Sequence, residues 1–135
     1  MSFHDQLKEL GLRGLASHLG IVLLEVTPDR VVATMPVNAQ THQPFGVLHG
    51  GASLALAETV ASVGAVGRID IERFMAVGQE INANHLRGKS DGIVTATAVP
   101  VHVGRTSQVW AIEIADEEGR LVCVSRCTLA VMPKR

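Results

Sequence analysis

Aromatic residues are nearly missing from this chain: it has no tyrosine, one tryptophan and three phenylalanines among 135 residues. A protein that stacks single-stranded bases on aromatic rings needs more of them. There is no surplus of positive charge either. Twelve Lys and Arg against 13 Asp and Glu leave a formal net charge of −1 and no basic block, which argues against a partner bound through its phosphate backbone. Cysteine is scarce. Cys123 and Cys127 sit four residues apart, on the same side of a strand and too far apart for an ordinary disulfide, so they read as reduced, small apolar residues. The six histidines include no HExxH, and no Cys or His stands at ligand spacing, so neither a metal nor a redox cofactor is expected. No apolar run approaches the roughly 20 residues of a membrane span. Residues 1–14 scatter charges where a signal peptide would be apolar. The expectation is a cytoplasmic protein without nucleic-acid or membrane partners.

What the chain does have is apolar aliphatic residues. A hydrophobic fraction of 47% with 19% charged residues suits one folded domain over 1–135 with a sizeable core. Phe3, Leu7, Leu10 and Leu15 give a helical pattern over 3–15, interrupted by Gly11 and Gly14. Residues 21–26 and 31–37 read as a hairpin closed by Thr27-Pro28-Asp29-Arg30. Residues 38–48 form a loop long enough to be functional. Strand-like runs follow at 76–86, 93–103, 107–115 and 120–132, with short links that make them antiparallel, here expected as a meander. Pro100 within one of them suggests an edge or a bulge.

Between the loop and these strands lies the segment that organises the rest, a glycine-paved helix start at His49-Gly50-Gly51 leading into a helix to about Val66. Apolar residues fall on every side of that helix, the pattern of a buried one. It carries one carboxylate, Glu58. Inside a buried helix a carboxylate is costly unless paired, protonated or put to use. One long apolar helix and one antiparallel sheet have to cover each other, which makes an α+β fold with the sheet curled round the helix.

The helix start offers free backbone N–H groups and the positive end of the helix dipole, and glycine lets a ligand approach that backbone closely. A carbonyl oxygen directed there would find an oxyanion hole. Gly51, Ala55, Glu58 and Ser62 share a small, polar face. Glu58 stands two turns, about 10 Å, from the helix start. That is far for one carbonyl to meet both, and hints at a site whose parts come from different subunits.

The run His42-Gln43-Pro44-Phe45-Gly46-Val47-Leu48-His49-Gly50-Gly51, followed by Ala55-Leu56-Ala57-Glu58-Thr59, resembles the hotdog-fold acyl-CoA thioesterases. The branch it looks most like contains phenylacetate-, menaquinone- and enterobactin-pathway thioesterases and the Arthrobacter-type 4-hydroxybenzoyl-CoA thioesterase. The likeness extends to Asn82-Ala83-Asn84-His85, Val101-His102-Val103-Gly104-Arg105 and Asp116-Glu117-Glu118-Gly119-Arg120. It implies a hotdog fold over the whole chain, hydrolysis of a small to medium acyl- or aryl-CoA, and a homodimer or dimer of dimers with its sites at a subunit interface. Coenzyme A would be part of the substrate, and no separate cofactor is implied.

Carried over by motif, Glu58 would be nucleophile or general base, and the Gly50 N–H would polarise the thioester carbonyl. Gln43 would help to place the substrate, His49 would assist on the thiolate side and brace the loop, and Ser62 would orient water. Gly51 and Thr59 would border the substrate. Coenzyme A would run along Gly78, the corner His85-Leu86-Arg87-Gly88 and the segment His102-Val103-Gly104-Arg105-Thr106-Ser107, with Arg87 and Arg105 as phosphate partners. Relatives often carry Pro at position 88 or a second His at 86, and here the residues are Gly88 and Leu86.

Each residue has a plainer reading. Glu58 could serve a structural pairing at an interface, His49 could bond backbone at the helix start, and Ser62 could bond its own i−4 carbonyl. Three other functions compete: hydrolysis of acyl groups on a carrier protein, a hotdog dehydratase, and a non-catalytic acyl-CoA-binding module. A dehydratase would want a His/Asp-type pairing in a different motif.

Overall fold

The computed structural model describes Phe3, Gln6, Leu7 and residues 11–135. Much of the helix expected over 3–15 lies outside the described residues. Within it, Phe3, Gln6 and Leu7 are helical. Gly11 and Gly14 then take φ of 62° and 67°, a backbone that ends a right-handed helix. A separate short helix α1 covers Leu15–His18.

Six strands follow, with one long helix between the second and third. They are β1 (Val22–Thr27), β2 (Arg30–Pro36), helix α2 (Gly50–Val66), β3 (Phe74–His85), β4 (Ile93–Val103), β5 (Ser107–Ala115) and β6 (Leu121–Pro133). All pairings are antiparallel, in the order β1-β2-β4-β5-β6-β3. The β1–β2 turn is closed by Thr27, whose hydroxyl accepts from the Arg30 N–H at 3.0 Å. The expected bulge appears in β4, where the register slips between Pro100 and His102, so the missing proline N–H falls where the ladder is already broken.

The expected meander is corrected at one strand. β4, β5 and β6 do follow one another, but β3 pairs with β6 and not with β4. The link 86–92 crosses the end of the sheet instead of turning back. Three strand spacings are about 14 Å, and seven extended residues reach about 23 Å, so a link of this length serves either connection. The sequence had no feature to separate them.

The sheet covers helix α2 on one side. Leu56, Ala57, Val60, Ala61 and Ala65 are fully buried against Met35, Trp110, Ile112, Ile114 and Leu129. Each fully buried Leu or Ile contributes about 1.5–3 kcal/mol of transfer free energy. One polar thread crosses this core. Trp110 donates its indole N–H to Gln108 Oε1 at 2.8 Å, and Gln108 Nε2 donates to the Ala65 carbonyl at 3.3 Å. That satisfies both buried side chains and locks β5 to the last turn of the helix. Cys123 and Cys127 are buried, free thiols on the inner face of β6, as small apolar residues would be. Burial, with Glu58 and Glu80 nearby, pushes the Cys127 thiol up to about 11.

Candidate active site

Glu58 is exposed, which corrects the expectation of a carboxylate inside a fully buried helix. The sheet shields only the side carrying Leu56, Ala57, Val60 and Ala61. The opposite side, with Gly51, Leu54, Ala55, Glu58, Thr59 and Ser62, borders an open cleft of about 530 Å³. Apolar residues all round the helix therefore mark two surfaces, one against the sheet and one towards this cleft. Leu12, Leu15 and Ala16 supply the far wall.

The Glu58 carboxylate reaches sideways to β3. A Cβ placed on Gly78 would lie 2.5 Å from Glu58 Oε2, so only glycine there leaves room for the carboxylate in this position. Gly78, expected along coenzyme A, thus stands beneath the carboxylate. Thr59, expected beside the substrate, spends its hydroxyl on the Ala55 carbonyl at 2.6 Å. The Ser62 hydroxyl makes no hydrogen bond among the described residues and borders the same cleft as Glu58.

The helix start faces a second cleft, of about 430 Å³, with Gln43, Leu48, Gly50, His85 and Arg87 on its walls. Leu86 and Gly88 border it as well. His49 is the N-cap: its Nδ1 accepts from the Gly51 N–H at 2.7 Å. The backbone N–H can only donate, so Nδ1 carries no proton and the ring's proton sits on Nε2. The plainer reading of His49 is therefore realised. It also sorts the two glycines. The Gly51 N–H is occupied, while the Gly50 N–H has no acceptor among the described residues. His85 lies over Gly50 so closely that a Cβ there would stand 2.8 Å from its Nε2.

Gln43 is held in a tight turn. Its N–H donates to the Val47 carbonyl at 2.8 Å, its carbonyl accepts from Gly46 at 3.0 Å, and its Oε1 accepts from the Phe45 N–H. With Oε1 so occupied, its amide NH₂ is the group left to meet a ligand. Phe45, at the tip, is 90% exposed.

The candidate residues are not all brought together. Ser107 pairs with Ala130, which pairs with Val77, so the turn carrying Gly104, Arg105 and Thr106 lies at the Val77 end of β3. His102 and Val103 lead into that turn, and the His102 ring packs over Gly104. Arg87 lies beyond the His85 end. The two ends are about 25 Å apart along the strands, so within one chain Arg87 and Arg105 cannot serve one short ligand. Both are exposed and neither forms an ion pair among the described residues.

Other contributors carried little sequence signal. His42 Nε2 bonds the Ser90 carbonyl at 2.8 Å, and the Lys89 ammonium lies 2.7 Å from Glu117 Oε1. Both partnerships join residues far apart in the chain. Among the described residues no group of three His, Cys, Asp or Glu could hold a metal ion. No helix among them is long and apolar enough to cross a membrane.

A family model described as the thioesterase superfamily matches residues 45–123. ComA2 of Bacillus subtilis, whose name assigns it provisionally to the esterases, is 58% identical over 120 residues, covering 89% of this chain and 95% of its own. The 1,4-dihydroxy-2-naphthoyl-CoA hydrolase of Listeria monocytogenes is 48% identical over 122 residues, 90% of this chain and 98% of that one. The crystal structure of a mutant form of thioesterase PA1618 from Pseudomonas aeruginosa superposes with a TM-score of 0.91 at 42% identity, covering 96% of this chain and 94% of that one. The chain belongs to the thioesterase superfamily. It is a hotdog-fold thioester hydrolase.

Proposed function

We propose that this enzyme hydrolyses small to medium acyl- or aryl-CoA thioesters at a site shared between two subunits, Glu58 coming from one and the Gln43–Gly50 segment from the other. The Gly50 N–H polarises the carbonyl in the positive field of the helix start, and Glu58 acts as nucleophile or as general base for water. Ser62, whose hydroxyl has no hydrogen-bond partner among the described residues, orients that water. The neutral His49 holds the loop through Nδ1 and turns its Nε2–H towards the departing thiolate.

The observation that carries this reading is the separation of the two halves. Glu58 and Gly50 are eight residues apart on one helix, about 12 Å along its axis, and they open on different clefts. No single carbonyl spans them. The sheet supplies a means of joining two copies. β3 is a 12-residue edge strand, paired with β6 on one side and unpaired on the other among the described residues. Such an edge is a template for a further strand. Antiparallel pairing of β3 with its own copy, centred on the strand, carries the 85–88 corner of one subunit to the 74–78 end of the other. That end holds Gly78, Glu58 above it and the turn of Arg105. The pairing completes the site and draws Arg87 and Arg105 of different subunits to the same end, where the phosphates of coenzyme A give both cations a partner.

Subunit complementation tests the shared site. Glu58→Ala and Gln43→Ala proteins are each expected to be nearly inactive against benzoyl-CoA or the 1,4-dihydroxy-2-naphthoyl thioester. After mixing and random exchange, half the dimers are mixed and each has one intact site, so about a quarter of wild-type activity returns. Mixed dimers that form and stay inactive would refute the shared site. Turnover of carrier-protein thioesters with CoA thioesters untouched would overturn the substrate class.

A further inference from the structure

The Gln43–Gly50 segment is held from behind by a second loop. The Leu48 N–H donates to the Lys89 carbonyl at 2.7 Å, and the Val37 N–H donates to the Gly92 carbonyl at 2.8 Å. The His42 ring nitrogen bonds the Ser90 carbonyl at 2.8 Å. Three contacts thus make the 86–92 corner the backing on which residues 37–49 rest. Leu48 is one residue before the N-cap His49 and two before Gly50. His42 is next to Gln43.

The corner has little packing of its own. Its residues are mostly exposed, and the Lys89 side chain, at 13% exposure, is the one pulled inwards. Its ammonium lies 2.7 Å from Glu117 Oε1 and 3.7 Å from Asp91. Glu117 sits in the β5–β6 turn. Its other carboxylate oxygen accepts from the Ile93 N–H at 3.1 Å, the first residue of β4. The same turn is stiffened by Asp116, which accepts from the Glu118 and Arg120 N–H groups and from the Arg120 guanidinium. A bidentate carboxylate on an ordered turn is a firmer anchor than an ordinary surface pair, where both side chains are free to wander.

We propose that the Lys89–Glu117 ion pair is a positioning element of the active site, fixing the 86–92 corner and, through Leu48 and His42, the placement of the Gly50 N–H and the Gln43 amide. Neither Lys89 nor Glu117 touches the reacting atoms. Loosening the pair leaves the fold in place and lets the donors drift. A donor displaced by about 1 Å loses much of its hold on a developing oxyanion. The loss falls on kcat, because the hydrogen bond to the carbonyl oxygen is strongest in the transition state. The inference rests on the donor role proposed above for the Gln43–Gly50 segment.

The test compares wild type, Lys89→Met, Glu117→Gln, the double variant, Lys89→Arg and Gln43→Ala. The substrate is whichever of hexanoyl-CoA, benzoyl-CoA and 1,4-dihydroxy-2-naphthoyl-CoA the wild type turns over fastest. Lys89→Met and Glu117→Gln are each expected to lower kcat about tenfold with KM changed less than about threefold. The double variant should be no worse than either single one, since they act through one pair. Lys89→Arg, which keeps a cation, should recover most of the loss. Amide hydrogen exchange at Leu48 should quicken in Lys89→Met and return towards wild type in Lys89→Arg. A lower melting temperature with kcat unchanged in both single variants would overturn the proposal, as would fully additive losses. If Gln43→Ala lowers kcat and Lys89→Met does not, the brace fails and the donor loop stands. If Lys89→Met lowers kcat and Gln43→Ala does not, the donor role fails, and the brace with it.

Discussion

The two sides of helix α2 both carry apolar residues and have opposite surroundings. Towards the sheet, Leu56, Ala57, Val60 and Ala61 are fully buried. Away from it, Ala55, Glu58, Thr59 and Ser62 border an open cleft. Leu54 and Ala55 are as apolar as their counterparts below, so apolar content separates the two only in part. The polar Glu58, Thr59 and Ser62, and above all the single carboxylate, complete the distinction. The covered side is filled for packing, and the open side is kept small around Glu58, so stability and turnover should separate cleanly between them.

The strongest attempt to break that separation is Glu58→Gln, which keeps shape and removes charge. Turnover is expected to fall about a thousandfold or more, worth about 4 kcal/mol of transition-state stabilisation. Because Glu58 is exposed and makes no ion pair among the described residues, the melting temperature should stay within a degree or two. A thiol-release assay beside a thermal melt checks both. Most of the activity surviving would remove the carboxylate from the mechanism.

The converse experiment is Leu56→Ala, two residues away on the covered side. Removing a fully buried side chain should cost about 2–5 kcal/mol of stability, read from denaturant melts. The folded fraction should keep a kcat near wild type. A large fall in kcat would show that the two sides are mechanically coupled. Between these extremes lies Gly78→Ala. Its new Cβ meets the end of the flexible Glu58 side chain, which can swing aside, so the fold should survive. The displaced carboxylate should lower kcat about 10- to 100-fold. If activity is unchanged, the position of Glu58 over β3 is not the reactive one.

The sequence carried the strands because runs of apolar and β-branched residues are a local signal. Trp110, Ile112 and Ile114, at alternate positions of β5, are all buried. It also carried the helix start and its carboxylate, which lie within ten residues of each other. The neighbour of β3 was not legible, since a seven-residue link reaches β4 and crosses to β6 equally well. The exposure of Glu58 was missed for a related reason. Residue type reports that a surface will be covered, and does not tell a covering sheet from a cleft. Lys89 was hidden inside a short link between two strands, while its partner Glu117 came 28 residues later.

That long-range pair yields the smallest effect and the most specific one. Lys89, hydrogen-bonded to one oxygen of Glu117, and the Ile93 N–H, bonded to the other, hold the Glu117 carboxyl down at about 2 from an ordinary 4.5. A carboxyl depressed on folding contributes stability that is present above its unfolded value. That contribution is lost as the pH falls from 4.5 towards 2. Burial pushes the Asp116 carboxyl up, but the bonds from Arg120 and Glu118 outweigh that push and lower it on balance. Glu117→Gln removes only the Glu117 contribution. Wild type should therefore melt above Glu117→Gln by a small margin at pH 6. The margin should close as Glu117 takes up its proton, while the Asp116 contribution is common to both proteins and cancels from it. A margin that stays constant down to pH 2 would mean that the pair does not hold the corner in solution. It would also deprive the donor loop of the backing that sets it apart from the open face of the helix.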